Sequence, residues 1–139
     1  MLTISLDLYE KIIAHARADY PNEAYGVIAG PEGSDRPERF IPMQNVATSP
    51  STFYEPDSEE QRKVWFEMWD RDEEAVVIYH SHSFTEARPS RTDIDIASGF
   101  GEPNAHYVLV STRDEGAPEF RSFRIRDGEV TEEPVSVLE

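Results

Sequence analysis

Ala75-Val76-Val77-Ile78-Tyr79 is the longest uninterrupted apolar run in the chain, and it shows no alternation. A strand with one face in water reads apolar–polar–apolar, so a continuous run is a strand covered on both faces. Such a strand requires a layer of structure above it and another below. With 139 residues, the chain has the length of one domain able to build those layers around one core, and we expect a single domain over 1–139.

The flanking segments supply the covering layers. Leu2–Leu6 alternates and reads as a first strand. A helix is expected from about Leu8 to Ala18, with Asp7 as its cap, Glu10 three residues later, and Tyr9, Ile12, Ile13 and Ala16 on one buried face. Pro21 ends it. Ala24–Ala29 reads as a short apolar strand closed by the turn residues 30–34, with Arg39–Met43 as its antiparallel partner and an irregular connection over 45–54. A second helix is expected from about Glu59 to Arg71, with Ser58 and Gln61 at capping spacing. Its stripe of Val64, Trp65, Met68 and Trp69 is read as core. After the central strand come a polar loop, a helix over 91–97, a turn at Gly99–Pro103, and strands over 106–111, 119–125 and 130–137, with Asp127-Gly128 as a hairpin turn. Strands and helices mix without strict alternation, so the class is α/β with a mixed sheet flanked by helices.

Composition removes several functions. Acids number 28 against 13 bases, a formal net charge of −15. Such a chain repels a phosphate backbone, so nucleic acid is not an expected partner. There are no cysteines, which excludes disulfides, thiolate metal sites and cysteine nucleophiles. No apolar run approaches the roughly 18 residues of a membrane span, and the N-terminus carries no secretory signal. No membrane partner is expected, and the cytoplasm is the expected compartment.

The central strand ends in His80-Ser81-His82. In extended chain, residues i and i+2 share a face, so both imidazoles can converge on one point. Two histidines and a carboxylate, with one position left for water, form the usual catalytic zinc donor set. Ser90-x-x-Asp93 lies a few residues later, at the first turn of the expected third helix. Taken alone it reads as a helix cap; beside the histidines, Asp93 is a candidate metal ligand. Hydrolysis also requires a base for the attacking water. Glu23, opening an apolar strand, is the candidate, with an ordinary strand-end charge as the alternative. Lone His15 and His106 are read as satisfied polar residues.

Glu23-x-x-Gly26 followed by His80-x-His82-x7-Ser90-x2-Asp93 resembles the signature of the JAMM (MPN-plus) zinc metalloprotease family. The resemblance implies one zinc ion per chain held by His80, His82 and Asp93, with Glu23 as general base and Ser90 stabilising the oxyanion. It also implies a mixed sheet flanked by helices, of the cytidine-deaminase-like kind. Longer stretches, among them Glu23–Arg39, Val76–His82, Arg88–Asp93 and Ala105–Asp114, resemble a bacterial branch of the family. That branch implies a peptidase releasing cysteine from a ubiquitin-like sulfur-carrier protein ending in a Gly-Gly-Cys adduct, within cysteine biosynthesis. The rival readings are an isopeptidase that removes ubiquitin-like modifiers from lysines and a non-catalytic scaffold of the same fold. Many family members carry proline where Ser83 stands, and relatives in that branch carry cysteine in place of Tyr25. Arg88 and Arg91 are candidates to meet the substrate carboxylate.

Overall fold

The computed structural model describes residues 1–139, with Phe100 described by its backbone alone. β1 (Leu2–Ser5) leads directly into α1 (Leu6–Asp19). The cap of α1 is Ser5, whose hydroxyl accepts the Leu8 N–H at 3.2 Å. It is therefore not Asp7, which lies inside the first turn and pairs with Lys11. β2 (Tyr25–Pro31) and β3 (Arg39–Met43) form the expected antiparallel pair. α2 (Ser58–Asp70) is capped by Asp57, one residue before the expected Ser58.

β4 (Glu73–His82) extends past the apolar run at both ends, so its last turns of pleat carry both histidines. α3 (Arg91–Phe100) is the crossover to β5 (His106–Ser111), which runs parallel to β4. Gly99, expected in a turn, lies within α3, and the chain leaves the helix at Gly101. β6 (Glu119–Arg126) and β7 (Glu129–Glu133) complete an antiparallel meander through the turn at Asp127-Gly128.

The described residues form a six-stranded sheet in the order β3-β2-β4-β5-β6-β7, with β4 at its interior as its uninterrupted apolar run requires. The expected final strand over 130–137 is two strands. Pro134 has no N–H to continue the ladder, and beyond it β8 (Val135–Leu138) leaves the sheet to pair in parallel with β1.

Two apolar layers result. Leu2, Ile4, Leu8, Ile12, Ile13 and Ala16 pack on one face of the sheet against Ile28, Val77, Tyr79 and Val108. On the other face Met68 of α2 and Ala97 of α3 pack against Tyr25, Val27, Ile78, Leu109 and Phe123. Among the described residues no helix is long and apolar enough to cross a membrane.

His106 and His15 are satisfied polar residues, as expected. The His106 ring is fully buried, with Nδ1 2.6 Å from Glu133 Oε2 and Nε2 2.7 Å from Asp35 Oδ1. His15, expected on an exposed face, is instead half-buried, with Nδ1 2.6 Å from the Tyr79 hydroxyl.

Burial alone would raise the Glu133 carboxyl, but hydrogen bonds from Ser122 and His106 outweigh it and hold the group down at about 2. A carboxyl depressed in the folded state stabilises the fold above its unfolded value and loses that contribution as pH falls toward the folded one. Glu133→Gln is therefore expected to lower the melting temperature at about pH 7, with the gap to wild type closing toward about pH 2.5. Thermal unfolding across that range checks it; a gap independent of pH would contradict the assignment.

Candidate active site

The site is assembled from the ends of β2 and β4, the first turn of α3 and the loop over 44–57. His80 and His82 alternate with Ser81 on β4, so both rings emerge on the face that carries α2 and α3. Tyr25 sits opposite His80 in the ladder, which brings Glu23, two residues earlier, beside the histidines. Glu23, His80 and His82 each offer a ligand atom, all within 4.8 Å of one another. Asp93 Oδ2 lies 3.1 Å from Nε2 of both His80 and His82.

Asp93 caps the helix and also faces the two imidazoles. Ser90 and Asp93 form a reciprocal capping box: Ser90 Oγ accepts the Asp93 N–H at 3.1 Å, and Asp93 Oδ2 accepts the Ser90 N–H at 2.8 Å. The oxygen that caps the helix is the one that faces the imidazoles. Ser90 uses an acceptor lone pair in the cap, so its O–H stays free to donate.

These groups could hold a metal ion, and their surroundings orient them toward one point. His82 Nδ1 donates to the Glu86 carbonyl at 2.9 Å. Because a carbonyl only accepts, the proton of the neutral ring belongs on Nδ1 and the Nε2 lone pair faces the cluster. His80 Nε2 is buried, and its approach to Asp93 lacks hydrogen-bonding direction, which leaves it without a partner. An orphaned buried nitrogen costs stability unless something fills its lone pair. Nε2 of His80, Nε2 of His82, which meets Asp93 Oδ2 at hydrogen-bond distance, and that carboxylate oxygen converge on one point, a donor set that suits a divalent cation of zinc type.

Burial would push Asp93 up, but the facing His80 and His82 rings and the Ser90 N–H hold its carboxyl well below the usual range. Glu23 behaves oppositely. It is 6% exposed, and burial, reinforced by the Asp93 charge and only partly offset by His82, raises it to about 7.

Several supporting residues carry no signal in the sequence. The loop read as an irregular connection is ordered by Asn45, whose side-chain amide donates to the carbonyls of Glu23, Pro50 and Phe53. Asn45 Oδ1 accepts from Ala47 and Glu55. The Glu23 N–H donates to the Pro50 carbonyl at 2.7 Å, so the backbone of Glu23 is held on both sides. Tyr54 of the same loop packs on the His80 ring at 4.4 Å and stacks on Tyr25 at 5.0 Å.

The structure brings together Glu23, His80, His82, Ser90 and Asp93. It does not bring Arg88 or Arg91 to the cleft: Arg88 faces Glu86 and Glu132, and Arg91 pairs with Asp95 on the outside of α3.

Mixed-sheet topology and a His-x-His strand facing a helix-capping aspartate make a group that could hold a metal ion. The sequence pattern of Prok-JAB, prokaryotic homologs of the JAB domain, matches residues 5–126, and the chain belongs to this family, as a peptidase of JAMM type. It is 63% identical over all 139 residues to the CysO-cysteine peptidase of Mycobacterium tuberculosis, covering 92% of that protein. It is 35% identical over 114 residues to the desampylase of Haloferax volcanii, across 79% of this chain and 80% of that one. Among solved structures, protein DSY2949 from Desulfitobacterium hafniense superposes with a TM-score of 0.83 at 32% identity, covering all of this chain and 94% of the other.

Proposed function

We propose that residues 1–139 form one zinc-dependent metallopeptidase domain. It would hydrolyse the bond between the C-terminal glycine of a ubiquitin-like sulfur-carrier protein and cysteine, releasing cysteine in a biosynthetic route. The observation that carries this reading is the convergence of His80 Nε2, His82 Nε2 and Asp93 Oδ2 beside a buried Glu23 raised to about 7. The full-length similarity to a CysO-cysteine peptidase supports the substrate class.

His80, His82 and Asp93 would hold the ion. When bound, zinc would lower the pKa of a coordinated water and polarise the substrate carbonyl. Glu23 takes a proton from the attacking water and passes it to the departing cysteine nitrogen as the C–N bond breaks. The carboxyl's raised value suits both transfers near neutral pH. The free Ser90 O–H donates to the carbonyl oxygen as charge builds there, a contact worth about 2.7–4 kcal/mol in comparable acyl-transfer sites. A reducing cytoplasm, where the thiol product stays free, is the compartment this reaction suits.

Incubating the protein with a carrier–cysteine adduct tests the reading. The expected result is loss of one cysteine from the carrier by mass spectrometry, blocked by chelator and restored by zinc. Similarity to a desampylase makes a lysine-linked carrier conjugate the necessary comparison. Faster cleavage of that conjugate than of the cysteine adduct would reassign the enzyme as an isopeptidase.

A further inference from the structure

Two cavities meet at the cluster of His80, His82 and Asp93, and their walls differ in chemistry. One, of about 270 Å3, is lined by Glu23, His82, Ser90, Thr85, Thr92 and Phe84. The other, of about 210 Å3, lies on the His80 side and is walled by Tyr25, Tyr54, Trp65, Ile78 and Leu109. Asp93 borders both. We propose that the aromatic cavity is the subsite for the acyl side of the scissile bond. There it selects an uncharged apolar side chain at the position just upstream of the carrier's two terminal glycines. The assignment of a carrier substrate on which this rests is the one proposed above.

Direction follows from the proton. The departing amine takes its proton from Glu23, which lines the hydroxyl-rich cavity and not the aromatic one. The amine leaves on that side, and the acyl chain extends to the opposite side, past His80. Two glycines cross the cluster without side chains, so the first side chain upstream is the first one able to occupy the aromatic cavity. At about 210 Å3, the space is below the roughly 300–1,000 Å3 of small-molecule pockets. It therefore accepts a side chain rather than a larger body.

The wall chemistry sets the preference. Among the described residues no lysine or arginine lines the cavity. Its two acids are engaged, Asp93 with the Ser90 N–H and Glu102 with the Trp65 indole N–H at 3.0 Å. A charged side chain would lose its water there, an acid beside two carboxylates and a base with only acids that already hold donors, whereas an apolar one meets aromatic faces.

An access route is present. A groove of about 470 Å3 on the outer side of α2 shares Gln61 and Trp65 with the cavity. Its far end is formed by Phe66 and Trp69, both exposed. Trp69 was expected in the core, but it is 61% exposed because only Met68 of that stripe turns fully onto the sheet. A tail lying along α2 reaches the His80 cavity past Trp69, Phe66 and Trp65, with Ser58, Gln61 and Arg62 on the same groove wall.

The chain has two tryptophans, and both lie on this route, so their indole N–H signals report on it directly. The test is nuclear magnetic resonance titration of the Glu23→Gln protein with the peptide Ala-Ala-Leu-Gly-Gly-Cys and with versions carrying Asp or Lys in place of leucine. The expected result is a saturable shift of the Trp65 indole signal with the leucine peptide and at least about tenfold weaker binding of the charged ones. An unmoved Trp65 signal, affinities equal across the three peptides, or no binding would overturn the proposal. Release of cysteine from the carrier adduct by wild type is scored separately. Release without peptide discrimination sinks the subsite alone, and discrimination without release sinks the assigned reaction alone.

Discussion

Glu23→Gln is expected to lower turnover of the carrier–cysteine adduct by about 10²–10⁴-fold, the range for removing a general acid–base group. The metal is expected to stay bound. The substitution keeps the shape of the side chain and the backbone contacts to Pro50 and Asn45. It removes only the capacity to accept a proton.

The structure makes this a sharp test, because Glu23 also lies within ligand distance of the histidines. If Glu23 were a ligand rather than the base, the variant would lose zinc together with activity. Zinc content measured alongside turnover separates the two roles.

A second consequence concerns the metal-free protein. A carboxyl raised from 4.5 to about 7 by burial holds its proton more tightly folded than unfolded. Stability therefore falls as pH rises between those two values. Glutamine mimics the protonated form, so the chelated variant should equal wild type at low pH and exceed it in melting temperature above about pH 7. Equal melting temperatures across that range would mean that the Glu23 carboxylate is not penalised by its site.

Asp93→Asn is expected to reduce zinc affinity by about 100-fold or more, exceeding the 10–100-fold typical of groups that only support a ligand. The fold should survive. An asparagine oxygen can still accept the Ser90 N–H that Asp93 accepts at 2.8 Å, so the cap on α3 persists while the anionic donor is lost. Asp93→Ala removes both functions and should also cost stability of the order of a helix cap, about 0.5–2 kcal/mol. Competition against a chromogenic chelator gives the affinities, and thermal unfolding gives the cap. Unchanged zinc affinity in Asp93→Asn would show that the oxygen between the imidazoles is a cap alone and would leave Glu23 as the third ligand.

The sequence and the structure agree closely where one local property decides the outcome. The unalternated run at Ala75–Tyr79 could only be an interior strand, and His80 and His82 share a face because strand periodicity is two. Ser90 and Asp93 had capping spacing, and they cap. The caps of the first two helices were misplaced by one or two residues because Ser5, Asp57 and their neighbours are all competent, and the choice depends on where each strand or loop delivers the chain. The strand expected over 130–137 broke at Pro134, whose missing N–H was visible, but nothing local indicated that β8 would seek out β1.

Periodicity also misjudged Trp69. A helical stripe shows which residues share a side of α2, not how far the helix rolls onto the sheet. That roll left Phe66 and Trp69 in solvent, and with them a route to the active site.

What the amino-acid order decides here is the candidate donor set: two imidazoles at strand spacing, a carboxylate at a helix start, and no thiol that could compete. These are consequences of local geometry and composition. What the tertiary structure alone decides is the state of those donors. Glu23 is one of eighteen glutamates, and its place at the head of an apolar strand made it a candidate without showing its protonation state. Its raised carboxyl comes from burial under a loop that Asn45 ties down across the sheet edge. The tautomer of His82 depends on the Glu86 carbonyl, and the stacking of His80 depends on Tyr54. Desolvation and hydrogen-bond direction depend on what surrounds a group in three dimensions, which the order of residues along the chain does not set.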